Sequence, residues 1–130
     1  MTRQRPLALL VTHGALGQEL VLTVEAILGR QSDVISLSNS GLSADALRTA
    51  IEECMLGVPA AQPIVLFTDL AAGSCGIASR RVDVADRPVR RLTGVNLPML
   101  LEFFHYRDTM PLDELTARLE TKGKAGITVF

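Results

Sequence analysis

Leu7-Ala8-Leu9-Leu10-Val11-Thr12-His13-Gly14 is the stretch on which the fold turns. Its first five residues are apolar without alternation, so both faces of the segment need cover. A central strand in a parallel sheet, with helices on each side, supplies that cover. The residues before it, Met1-Thr2-Arg3-Gln4-Arg5-Pro6, are basic, but the apolar run is too short for the core of a secretion signal. After Gly14, the residues Leu16, Leu20, Val24, Ile27 and Leu28 recur at helical spacing and stop at Gly29. His13 therefore sits where a buried strand turns into a helix.

The same alternation continues outward. Residues 33–37 form a second β-rich run, followed by turn chemistry in Ser38-Asn39-Ser40-Gly41. Ser43 offers an N-cap for a helix whose face carries Leu47, Ala50, Ile51 and Cys54. Residues 64–68 are the most strongly β-like run and end at Asp69. The loop Ala71-Ala72-Gly73-Ser74 leads into a helix expected to reach about residue 84, and residues 89–93 provide a fourth strand. A short helix follows Pro98. Leu112, Leu115 and Leu119 mark a last helix with Gly123 as its expected stop, and residues 127–130 form a terminal β segment.

At 130 residues and 48% hydrophobic, the chain has the length and apolar content for one core, and residues 1–130 are expected to form a single domain. Thirteen basic against fourteen acidic residues leave a formal charge of -1, which removes the electrostatic drive for nucleic acid or anionic lipid. No apolar stretch approaches the ~18 residues of a membrane span, so membrane insertion is not expected and a cytoplasmic location is. Cys54 and Cys75 fit unpaired thiols in a reducing compartment, and their spacing matches no metal motif. No metal and no cofactor are expected. Gly14-Ala15-Leu16-Gly17 falls short of a dinucleotide fingerprint, and no phosphate-binding P-loop occurs.

Open α/β sheets bind ligands beyond the carboxyl ends of their strands, where the strand order reverses. With the order taken as 2-1-3-4, that point lies between the first and third strands, which end at His13 and Asp69. A carboxylate accepting from one imidazole nitrogen fixes the tautomer and leaves a lone pair on the other for nucleophilic attack. Gly73 and Ser74, opening a helix, offer backbone N–H groups and a hydroxyl to an anion, and Ser74 is also a candidate cap for that helix. The N3 position under that capping is Ile77, so no internal carboxylate fills the space. Plainer roles fall to other residues. Cys75, near a helix start, reads as an ordinary small residue rather than a redox-sensing thiol of lowered pKa, His105 as a helix end or partner surface, Arg80 and Arg81 as a solvated face, and Asn96-Leu97-Pro98 as structural support.

Three stretches together resemble the IIA component of the mannose-type phosphotransferase system (PTS). They are Leu10-Val11-Thr12-His13-Gly14, Asp69-Leu70-Ala71-Ala72-Gly73-Ser74, and Thr93-Gly94-Val95-Asn96-Leu97-Pro98-Met99-Leu100-Leu101-Glu102. The last is the specific one. The resemblance implies a three-layer α/β fold, mostly parallel with order 2-1-3-4, closed by a terminal antiparallel edge strand. It implies a phosphocarrier that accepts a phosphoryl group on His13 from phospho-HPr, the histidine phosphocarrier protein, and passes it to a IIB component during sugar uptake. Asp69 matches the partner of the histidine, and Gly73 with Ser74 match the phosphoryl-cradling loop. A homodimer that exchanges its terminal strand is also implied. Where the family typically has Leu-Phe-Gly-Gly-Ser-Pro, this chain has Leu70-Ala71-Ala72-Gly73-Ser74-Cys75, which restricts position 72 to negative φ and restores an N–H at position 75. The altered loop keeps open a regulatory interaction module switched by phosphate on the same histidine. A metal-dependent, chelatase-like reading of His13 is disfavoured by the presence of only two histidines.

Overall fold

The computed structural model describes residues 4–130; Met1, Thr2 and Arg3 of the basic N-terminal stretch lie outside the described residues. The elements run β1 (Leu7–Thr12), α1 (Leu16–Leu28), β2 (Val34–Ser38), α2 (Ala44–Leu56), β3 (Ile64–Thr68), α3 (Gly73–Arg81), β4 (Val89–Leu92), α4 (Leu97–Tyr106) and α5 (Leu112–Ala125). The four strands form one sheet in the order β2-β1-β3-β4, and every neighbouring pair is parallel. The expected order and layering hold.

All six residues of β1 and all five of β3 are buried, as unbroken apolar runs require when helices cover both faces. Successive side chains of β1 then divide between two cores. Leu7, Leu9 and Val11 pack with Leu47, Ile51 and Met55 of α2 and Ala78 of α3. Ala8 and Leu10 pack with Val24 of α1, Leu100 and Phe103 of α4, and Leu115 and Leu119 of α5. Each fully buried leucine contributes roughly 1.5–3 kcal/mol. Phe67 meets Phe103 edge to face at 5.4 Å, joining β3 to α4.

Two expectations fail at the end of the chain. The helix expected to stop at Gly123 runs on to Ala125, and Gly126 takes the cap. Gly123 packs against Met99: a Cβ there would come within 2.8 Å of Met99 Cε, the flexible end of that side chain. The terminal antiparallel strand is not formed. Gly126 N–H bonds to the carbonyls of Lys122 and Gly123 and Ile127 N–H to that of Lys124, which uses the first backbone donors after the helix in its own last turn. Residues 127–130 then run exposed and unpaired with the sheet, so β4 is left as an edge and the sheet has four strands rather than about five. The helix expected to reach residue 84 ends at Arg81, where Val82 returns to extended backbone. No helix among the described residues is long and apolar enough to cross a membrane.

Candidate functional site

His13 and Asp69 are brought together by the register of the two central strands. Val11 of β1 pairs with Thr68 of β3, so the residues just beyond each strand emerge side by side at the switch point. Asp69 Oδ2 accepts from the His13 backbone N–H at 2.9 Å and lies 2.9 Å from His13 Nδ1, with Oδ1 at 3.2 Å. Burial pushes the Asp69 carboxyl upward, but the bonds from the His13 backbone and imidazole outweigh it and hold the group below the usual carboxylate range. The carboxylate is thus charged and turned to Nδ1, while the imidazole is 41% exposed and the carboxylate only 10%. That polarity leaves Nε2 as the nitrogen with the free lone pair.

Nε2 faces the start of α3. Gly73 has φ +80°, and the position a Cβ would take there is 3.7 Å from both His13 Cε1 and Nε2. Glycine keeps that approach open and adopts the left-handed backbone without strain. Ala72 is extended, so the alanine at this position requires no positive φ and the loop accommodates it. Gly73, Ser74 and Cys75 are the first three residues of α3, whose N–H groups have no partner inside the helix. Cysteine in place of proline therefore adds a backbone donor at position 75. Ser74 does not cap the helix through its side chain. The N-cap is Ala72, and Ser74 Oγ accepts instead from Asn39 Nδ2 at 3.2 Å.

Asn39 is the site residue that sequence reasoning missed. It follows β2, and its Oδ1 accepts the Gly14 N–H at 3.1 Å while its Nδ2 reaches Ser74. One side chain thus ties the turn after β1 to the helix start after β3. The signal lay in its position: a turn residue beyond β2 adjoins the His13 turn as soon as β2 is placed beside β1. Two close approaches set the same loops. Gly17 lets α1 sit against Thr12 and Ser36, where a Cβ would come within 2.9 Å of Thr12 Oγ1, and its N–H bonds to that hydroxyl at 2.7 Å. A Cβ at Gly76 would meet the Ala71 carbonyl oxygen at 2.1 Å, and Arg80 donates to the same carbonyl.

Asn96 performs the structural role expected of it. Its Oδ1 caps α4 at Met99 N–H (3.0 Å) and its Nδ2 holds the Gly123 carbonyl (2.9 Å). Cys75 is buried in the core, and its Sγ also belongs to the site's surroundings: donor atoms of His13, Asp69 and Cys75 all lie within 4.8 Å of one another. Burial, then the charge of Asp69, push the Cys75 thiol above its ordinary value, with a Ser74 contact opposing them.

Comparison with known proteins places the chain in a family. The mannose-specific EIIAB component of the PTS in Escherichia coli K12 is 30% identical over 118 residues, 89% of this chain. The chain spans about a third of that relative's length, 36%. Among solved structures, the PTS component EIIA from Streptococcus agalactiae superposes with a TM-score of 0.85 at 26% identity, covering 95% of this chain and 96% of that one. The mannose/sorbose-specific IIA subunit from Enterococcus faecalis shares the fold at a TM-score of 0.77 and 20% identity, covering 98% and 96%. The family model for EIIA-man, described as the PTS system fructose IIA component, matches residues 8–120, and the chain belongs to that family of sugar-transport phosphotransferase components.

Proposed function

We propose that this protein is a phosphocarrier: His13 accepts a phosphoryl group from phospho-HPr and passes it to a IIB component for sugar uptake. The observation that carries the reading is the polarity of His13, with Nδ1 on Asp69 and Nε2 turned to the opening of α3. With Nδ1–H donated to the carboxylate, the Nε2 lone pair attacks phosphorus. The new N–P bond forms as the bond to the donor's nitrogen breaks, and that nitrogen recovers its electron pair. The imidazolium character that develops is offset by Asp69. The phosphoryl oxygens meet the N–H groups of Gly73, Ser74 and Cys75 at the positive end of α3. Because Asn39 donates to Ser74 Oγ, the Ser74 hydroxyl hydrogen is free to point to the same oxygens.

Transfer between two histidines replaces one N–P bond by another, so positioning and charge compensation suffice. The exposed apolar tail, with Ile127 78% and Val129 95% accessible, supports a second copy of this chain as an oligomeric partner in a homodimer. Sedimentation of a chain ending at residue 126 tests that arm; an unchanged dimer overturns the tail as its basis.

The main test is intact mass after incubation with phosphoenolpyruvate, Enzyme I and HPr, followed by a IIB chase. One acid-labile phosphoryl group, absent from His13→Ala and passed to IIB, is the expected result. No HPr-dependent label on the native chain overturns the phosphocarrier reading. Label without onward transfer favours the regulatory module, in which phosphate on His13 switches a binding partner.

A further inference from the structure

The side chain beside His13 and Asp69 that phosphoryl transfer does not use is the Cys75 thiol. The thiol comes from α3, the imidazole from the end of β1 and the carboxylate from the end of β3, so His13 and Cys75 lie 62 positions apart in the sequence. No local motif could reveal the group. In space, one donor atom from each lies within 4.8 Å of the others. A zinc ion bound at about 2.0–2.3 Å by nitrogen, oxygen and sulfur needs donors roughly 3.3–3.8 Å apart, so side-chain adjustment closes the site without rebuilding the sheet. The half-exposed imidazole provides the entry from solvent.

We propose that His13, Asp69 and Cys75 bind a divalent transition-metal ion of the zinc class, and that the bound ion blocks phosphoryl acceptance. The blocking arm rests on the phosphocarrier reading; the binding arm stands on geometry alone. A sulfur, a nitrogen and one carboxylate oxygen select zinc or cobalt over magnesium and calcium, which take all-oxygen shells. Three protein ligands leave a fourth tetrahedral position for water.

The inhibition follows from the tautomer. Nδ1 is the nitrogen turned to Asp69, and a metal bound there takes the place of its hydrogen. The ring stays neutral with its proton on Nε2, so the lone pair that would attack phosphorus is gone. The Cys75 S–H bond breaks as the S–metal bond forms, and that proton leaves to solvent. One proton is released, nothing is oxidised or reduced, and the nucleophile is occupied at the atom opposite the one that reacts.

Cobalt(II) is the probe for binding, because a thiolate ligand gives a sulfur-to-cobalt charge-transfer band that water and carboxylate ligands do not. The expected result is a band saturating at one equivalent on the native chain, removed by zinc. It persists in Cys54→Ser and is lost in Cys75→Ala and Cys75→Ser, with circular dichroism confirming that each variant is folded. Removing Cys75 weakens zinc binding by more than the roughly 10–100-fold typical of losing an outer-shell partner. Absence of the band on the native chain, or its survival in both Cys75 variants, overturns the site.

The second arm uses purified phospho-HPr in a single transfer step. Stoichiometric zinc slows labelling of the native chain by about tenfold or more relative to its own metal-free rate, while Cys75→Ala labels equally fast with and without zinc, each chain being compared with itself. Equal zinc sensitivity of native and Cys75→Ala chains overturns the inhibition. If the metal-free native chain takes no label but the cobalt band forms, the phosphocarrier reading fails and the metal site stands.

Discussion

At the amino ends of the strands, long side chains close the sheet by donating to loop carbonyls; at the carboxyl ends, short side chains and glycines leave it open. Arg107, fully buried, donates to the carbonyls of Ser32 (2.7 Å), Asp33 (3.1 Å) and Pro6 (3.4 Å), the residues leading into β1 and β2. Its guanidinium lies 4.9 Å from the Phe104 ring centroid. Gln62 bonds the Arg5 carbonyl ahead of β1, and Arg87 bonds those of Val58 and Pro59 ahead of β3. Beyond the carboxyl ends stand His13, Asp69, Asn39 and Gly73, with one imidazole facing solvent. The polar clasp at one end lets the other be spared for chemistry, because loops that must admit a partner are poor places to store stability.

The largest effect expected from breaking this division is at Arg107. Burial lowers its pKa to about 10, so it remains charged at neutral pH and its bonds are charge-assisted. Arg107→Met leaves the Pro6, Ser32 and Asp33 carbonyls without that donor and lowers stability by about 3 kcal/mol in urea unfolding. Labelling of the folded fraction by phospho-HPr stays within about twofold, since the substitution is at the far end of the sheet. A folded variant that no longer accepts phosphate would show that the two ends are coupled.

Asp69→Asn is the mirror experiment. The amide keeps the shape but removes the charge that fixes Nδ1–H and offsets the developing imidazolium. Labelling falls about 100-fold, equivalent to roughly 2.7 kcal/mol in the barrier, while urea stability moves by less than about 1 kcal/mol. A stability loss as large as that of Arg107→Met would mean that the carboxyl end is also a structural clasp.

The division also explains what the sequence disclosed. Unbroken apolar runs in β1 and β3 and helical stripes in α1 and α2 are local signals, and they place the strands and helices; the meeting of His13 with Asp69 followed only from taking the order as 2-1-3-4, which periodicity does not fix. The clasp was hidden because Arg107 acts across 101 residues to reach Pro6, and a lone arginine at a helix end carries no sign of burial. Asn39, Gly17 and Gly76 were hidden for the same reason: their partners are set by tertiary approach, not by spacing. The apolar residues 127–130 misled in the opposite direction. β-propensity registers a segment that fits a strand, but only a partner with free backbone groups makes it one.

A smaller effect tests how tightly the open end is shaped. Gly73→Ala puts a Cβ at ordinary contact distance from the Nε2 edge of His13 and forces a left-handed alanine. The backbone strain costs about 1–2 kcal/mol. Labelling falls by roughly tenfold and the thermal midpoint drops by about 5 °C. An unchanged rate would mean that phosphate does not pass between Gly73 and Nε2.

Acid titration separates the two ends most finely. Asp69 and Asp108 both have folded-state pKa values below normal, Asp69 despite burial because His13 donates to it, and Asp108 first because Arg5 does, against an opposing burial. A carboxylate whose pKa is depressed on folding adds stability that is present above its unfolded value, about 3.9, and lost as pH falls through the folded value. The environments differ: the Asp108 side chain is 53% exposed, so its ion pair with Arg5 is screened, whereas Asp69 is shielded. In high salt, the stability gap between the native chain and Asp69→Asn should therefore shrink between about pH 5 and pH 2, by less than about 1 kcal/mol. The gap for Asp108→Asn should stay flat. If Asp108 carries the larger pH-dependent share, the exposed clasp at the amino end contributes electrostatically as well as through the buried Arg107, and the carboxyl end owes its His13–Asp69 geometry to strand register alone.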